Sequence, residues 1–167
     1  LMTSTIEIAL GKTLAQARLS GEPIDPPADW PPAGLESSER VQDVAADAMG
    51  EAVVGWKIGA TSPEAQQIMG CDGPFFGPLF APRVFDSGAT IPFTPGTLGV
   101  ECEFAFRIAA DQPAGKADYD AGSIVALVDS CHPALEIVGR RVGGEGFPGV
   151  TEAVADFALN VAFVHGP

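Results

Sequence analysis

Basic residues are scarce in this chain of 167: nine lysines and arginines stand against 22 aspartates and glutamates, a formal charge of −13. A surface of that sign repels phosphate backbones and anionic lipid, so neither nucleic acid nor a membrane face is an expected partner. Cysteine is scarce too. Cys71, Cys102 and Cys131 are odd in number and show no CxxC spacing, which argues against a disulfide framework or a thiolate zinc site and fits a reducing cytoplasm. No apolar run approaches a membrane span, because Gly, Pro or a charge interrupts each one, and no basic-then-apolar leader is read at the start. Internal repeats and long charge blocks are also absent.

What is present is enough for one core: 46% of the residues are hydrophobic. The 20 glycines and 15 prolines are scattered among apolar runs, which predicts turns and short strands. From about Thr3 to Leu19, Ile6, Ile8, Ala9, Leu10, Leu14 and Ala17 recur at helical spacing, with Ser4 or Thr5 available as N-cap. Five prolines between Gly21 and Gly34 predict an extended surface connection, followed by a helix from about Ser37 to Met49 with Val41, Val44, Ala45 and Ala48 on one face. After Gly50 the runs VVGWKIG, FFGPLFAPRVF, LGVECEFAFRI, SIVALV and ALEIVGRRV read as strands. AVADFALNVAFV reads equally as helix or buried strand. The chain thus divides into an N-terminal helical segment, residues 1–50, packed on a β-rich portion, residues 51–167, in a single α+β domain.

Three acids and one lysine stand out. On a strand, Glu101 and Glu103 of VECEFAF share a face, while Cys102 and Phe104 take the other. Two adjacent carboxylates on an apolar strand either lie on a solvated face or need a cation or a shared proton to offset their repulsion. Glu136, set among apolar residues in PALEIV, is a third acid of this kind. An all-oxygen set suits Mg2+ or Mn2+ better than zinc. Lys57 is the only charge between Glu51 and Glu64, flanked by Gly55 and Gly59 and enclosed by Trp56 and Ile58. It is either a group for substrate binding and proton transfer or a strand lysine with its head in water. His132, before Pro133, reads as a turn residue or a support, and His165 as surface.

These segments, in their order from SGEPI through GWKIGATS, FFGPLF, ECEFAF and HPALEIV to ADFALNVAFVHGP, resemble the 2-keto-4-pentenoate hydratase and 4-oxalocrotonate decarboxylase branch of the fumarylacetoacetate hydrolase superfamily. The resemblance covers nearly the whole chain. It implies N-terminal helices followed by a mixed β-sandwich roll, with Glu101, Glu103 and Glu136 holding Mg2+ or Mn2+ and Lys57 in catalysis. Thr61, Ser62, Phe76 and Arg141 become the expected substrate-binding residues. The implied activity is hydration of a 2-hydroxypenta-2,4-dienoate-like 2-oxo acid in aromatic catabolism, or 4-oxalocrotonate-type decarboxylation, with a non-catalytic metal-binding subunit as a third reading. A homo-oligomer, or association with a complementing chain, is expected.

Three features depart from the family pattern. Phe75 stands where hydratases carry the Asp of P-D-[FY]-G, and Gly139-Arg140-Arg141 replaces Asp-Ser-Arg after ALEIV. Relatives continue past the position of Pro167, so a fold truncated at its C-terminus is expected.

Overall fold

The structure is a computed structural model that describes residues 2–111 and 119–167. Helix α1 (Thr5–Ser20) starts where Ser4 closes a capping box: the Ser4 hydroxyl accepts from the Glu7 N–H at 3.2 Å, and the Glu7 carboxylate accepts from the Ser4 N–H at 2.7 Å. Gly21, with φ 75°, ends it. Helix α2 (Leu35–Met49) ends at Gly50 in the same left-handed way.

The two helices pack through Leu10, Leu14, Val41, Ala45 and Met49 onto Phe80, Val142, Ala155 and Phe157. Each fully buried aliphatic side chain there stabilises the fold by roughly 1.5–3 kcal/mol. The buried stripe differs from the expected one. Ile6, Ile8 and Ala9 are exposed, whereas Glu7 and Arg18 are buried, and Ala48 is exposed while Gln42 is buried. Polar partners explain the exchange. Gln42 donates to the carbonyls of Val154 (2.6 Å) and Phe76 (3.1 Å), and Glu7 accepts from Arg40 (2.9 Å) and Ser37 (2.8 Å) of α2.

The Arg40 hydrogen bond, then the Ser4 N–H, hold the Glu7 carboxyl at about 2 against an ordinary 4.5. A depressed carboxyl favours the fold above its ordinary value and loses that effect as pH falls through its folded value. Urea titrations should therefore show Glu7→Gln less stable than the parent by a constant margin above about pH 5, closing between 4.5 and 2. A margin independent of pH would mean that the Glu7 charge is not what joins the helices.

Strands β1 (Val53–Gly59) and β2 (Phe75–Phe80) form an antiparallel pair, with helix α3 (Pro63–Met69) between them in sequence. Strands β3 (Val84–Asp86), β4 (Thr97–Ile108), β5 (Val128–Gly139) and β6 (Asn160–His165) form a second sheet in the order β3-β6-β5-β4. Its β3–β6 pair is parallel and the others antiparallel, so the sheet is mixed, as expected. Two segments read differently. SIVALV begins as a short helix, α4 (Ala121–Val125), because Asp120 caps it by accepting from the Ser123 N–H at 2.7 Å. AVADFALNVAFV is both of its alternatives, with helix α5 (Val150–Ala155), a tight turn at Phe157–Leu159, then β6. The proline-rich connection is pinned rather than loose: Ile24 bonds the backbones of Arg141 (2.7 Å) and Gly143 (2.8 Å). Among the described residues, no helix is long and apolar enough to cross a membrane.

Candidate metal centre

Register brings the three acids together. Glu101 of β4 lies directly opposite Glu136 of β5, and Glu103 opposite Ala134. Side chains two apart on a strand share a face, so all three carboxylates emerge on one side, with one oxygen of each within 4.8 Å of the others. Glu101 is open to solvent, whereas Glu136 is only 1% exposed.

Like charges directly opposite one another weaken a sheet. Burial pushes the Glu136 carboxyl up, Lys57 and the Asn160 hydrogen bond pull it down, and the charge of Glu101 pushes it up again. Burial and then Glu101 push Glu103 up, with Lys57 opposing. Three oxygen donors that resist carrying their charges together are a set that a hard divalent cation would satisfy. The residues present fit such an ion.

Lys57 enters from the other sheet. Its ammonium stands 3.3 Å from a Glu136 oxygen and donates to the Ala158 carbonyl at 3.0 Å, with only 10% of the side chain exposed. The expected enclosure by Trp56 and Ile58 is not found: both lie on the opposite face of β1 and are exposed. The pocket for Lys57 is made by the turn before β6, where Phe157, Ala158 and Leu159 have φ of 55°, 50° and 64°. Three consecutive non-glycine residues in the left-handed region are unfavourable for L-amino acids, by about 1–2 kcal/mol each. The turn is held by Phe80 and Phe157 meeting edge to face at 5.4 Å and by Gly77, the β2 partner of Lys57. A Cβ on Gly77 would lie 2.5 Å from the Phe157 carbonyl oxygen, so the backbones touch only because that atom is missing.

The remaining expected residues are not gathered here. Thr61 is exposed, and the Ser62 hydroxyl caps α3 by accepting from the Ala65 N–H at 3.2 Å. Phe76 pairs with Ile58 and rests edge-on against Trp56, facing away from Lys57. Arg141 is buried, with hydrogen bonds to the Asp156 carboxylate (2.5 Å) and to the carbonyls of Asn160 (2.9 Å), Gly139 (2.8 Å) and Asp156 (3.0 Å). Those bonds make it a support of the β5–β6 junction. Phe75, in the place of the family Asp, packs against Val138, Ala153 and Leu159. His132 bonds Ser130 at 2.8 Å, and His165 lies 3.2 Å from Asp86, so neither joins the cluster.

Asn160 is the residue that sequence reasoning missed. Fully buried, it donates to Glu136 at 2.8 Å and accepts at its side-chain oxygen from Arg18 at 3.2 Å, fixing the orientation of the Glu136 carboxylate. An Asp and an Asn four apart in the apolar run ADFALN were the available signal.

No family model matches the chain. Individual proteins do. It is 34% identical over 160 residues to the 2-keto-4-pentenoate hydratase of Paraburkholderia xenovorans strain LB400, an alignment covering 93% of this chain and 58% of that one. It is 30% identical over 163 residues to the enzyme of the same name from Burkholderia vietnamiensis strain G4, covering 95% and 61%. The fold matches 4-oxalocrotonate decarboxylase from Pseudomonas putida G7, solved with magnesium and adipate, with a TM-score of 0.79 at 23% identity over 99% of this chain and 64% of that one. The chain thus spans about six-tenths of the length of the proteins it matches. Along nearly all of its own length the chain is thus similar in sequence to 2-keto-4-pentenoate hydratases and in fold to 4-oxalocrotonate decarboxylase.

Proposed function

We propose that this chain carries the metal-binding part of a lyase that adds water to a 2-hydroxypenta-2,4-dienoate-like unsaturated 2-oxo acid in aromatic-compound catabolism. The convergence of Glu101, Glu103 and Glu136, with Lys57 bonded to the most buried of them, carries this reading. The hydratase names of the relatives support it. These three glutamates would hold Mg2+ or Mn2+. A bound cation of that kind supplies Lewis-acid stabilisation of the negative charge that builds on a 2-oxo oxygen. Lys57 has two of its three N–H bonds engaged, by Glu136 and Ala158, which leaves one for a substrate carboxylate or for proton transfer. Asn160 holds Glu136 in place, and the Phe75 ring supplies no proton.

Phe75 favours a second reading, 4-oxalocrotonate-type decarboxylation, since loss of CO2 does not require water to be activated at that position. The test supplies 2-hydroxypenta-2,4-dienoate and 2-oxohex-3-enedioate, each with Mg2+, and follows 4-hydroxy-2-oxopentanoate and CO2. Hydration of the first is the expected result. CO2 from the second alone would replace it with the decarboxylase, and neither product would leave a non-catalytic metal-binding subunit.

The free thiols of Cys71, Cys102 and Cys131 support a cytoplasmic location. The β4–β5 face turned away from the glutamates exposes Val100, Phe104, Phe106 and Leu135. That apolar face supports association with a second copy or a complementing chain. Sedimentation should show particles larger than one chain, and a stable monomer at all concentrations would count against it.

A further inference from the structure

Strand β4 ends the second sheet: one edge pairs with β5, and the other pairs with no strand among the described residues. Between Gly99 and Arg107 that free edge carries neither proline nor bulge, two common means of keeping an edge from pairing. Its two faces differ in kind. Glu101, Glu103, Ala105 and Arg107 share the face of the metal centre, while Cys102, Phe104 and Phe106 share the other, where Phe104 is 77% exposed. Arg107 is exposed as well, and among the described residues it makes no ion pair.

The glutamates would oppose any added strand that brings no cation, and a second β4 brings one. Only antiparallel alignments that match like faces are open to it, since a slip of one residue sets the charges of each strand among the apolar side chains of the other. Within the regular stretch, an alignment centred on Glu103 sets Glu103 against itself, and one centred on Cys102 sets Glu101 against Glu103. Like charges directly opposite are unfavourable and unlike charges favourable. Centring on Phe104 sets Glu101 opposite the partner's Arg107, Glu103 opposite the partner's Ala105 and Cys102 opposite the partner's Phe106. Centring on Ala105 also opposes acid and arginine, but keeps only residues 103–107 in register against 101–107. We propose that two copies of this chain pair β4 to β4, antiparallel, about a two-fold axis at Phe104. The four-stranded sheet then continues across an isologous interface. This rests on, and deepens, the association proposed above for the apolar β4–β5 face. It also places the partner's Arg107 beside Glu101 on the metal-bearing face, where a carboxylate has lone pairs enough for a cation and a guanidinium together.

The test is disulfide trapping and sedimentation of the metal-free chain, neither of which depends on lyase activity, so failure of the proposed reaction leaves the result readable. Residues directly opposite on antiparallel strands have Cα atoms about 4.5–5.5 Å apart, within disulfide reach. With Cys71, Cys102 and Cys131 replaced by serine, Phe104→Cys should give a covalent dimer under mild oxidation. Phe106→Cys should not, because its counterpart lies about 13 Å away along the strand. In sedimentation, Arg107→Glu sets acid against acid and should weaken the dimer roughly tenfold or more, and adding Glu101→Arg should restore it. Self-association without a Phe104→Cys dimer, equal trapping in Phe106→Cys, or a parent-like dimer in Arg107→Glu overturns this pairing and leaves the broader association standing. A stable monomer overturns both. Phe104 and Arg107 are exposed, so their variants keep the fold on which the test depends.

Discussion

Replacing Glu136 by Ala is expected to abolish tight Mn2+ binding, with a loss larger than the roughly 10–100-fold that follows removal of a group merely supporting a ligand. The variant also strands two donors, the Lys57 ammonium at 3.3 Å and the Asn160 amide at 2.8 Å. Breaking a buried ion pair from one side costs about 3–5 kcal/mol, so Glu136→Ala should also melt earlier. Glu101→Ala separates the two effects. Glu101 is exposed and directly faces Glu136, so its removal should weaken Mn2+ binding yet leave the metal-free protein as stable as before, or more so by about 0.2–1 kcal/mol. Calorimetry and thermal melts on both variants supply the check. Unchanged Mn2+ affinity in Glu136→Ala would remove it from the ligand set.

The second large effect is expected at Lys57. Lys57→Ala should lower turnover by roughly 10²-fold or more, the usual worth of one acid/base group, with Mn2+ binding largely retained. The geometry explains why the two readouts part. Lys57 lies beside Glu136 and holds that carboxyl down against burial, so its loss pushes the carboxyl further up and shifts metal binding toward higher pH without removing an oxygen donor. Near-parent turnover in a folded Lys57→Ala protein that still binds Mn2+ would return Lys57 to a structural role.

The carboxylate cluster was legible because it depends on period two: Glu101 and Glu103 share a face in any strand, and Glu136 sits in an apolar stretch that only a strand pairing could bring beside them. The capping box at Ser4 and Glu7 was half legible. Ser4 is a recognisable cap, but the burial of Glu7 comes from Arg40 and Ser37 on another helix, which no local pattern announces. The surroundings of Lys57 were read wrongly for a related reason. Neighbours in sequence, Trp56 and Ile58, point away from it, and the group it meets is a main-chain carbonyl on a left-handed turn of Phe, Ala and Leu. Side-chain preference would place none of those three residues in that conformation. Arg141 matched a motif, yet a motif match cannot show that Asp156 and three carbonyls already occupy its guanidinium.

The contact between Gly77 and the 157–159 turn ties together two stretches eighty residues apart by an absent methyl group. The two stretches therefore fit one another as a pair. A segment exchanged with a similar protein would have to carry FFGPLF and ADFALN from the same parent, because a turn shaped for one glycine environment has no reason to fit another. Recombination breakpoints placed between residues 77 and 157 would disturb the lysine's carbonyl partner even when every ionisable residue of the site is preserved.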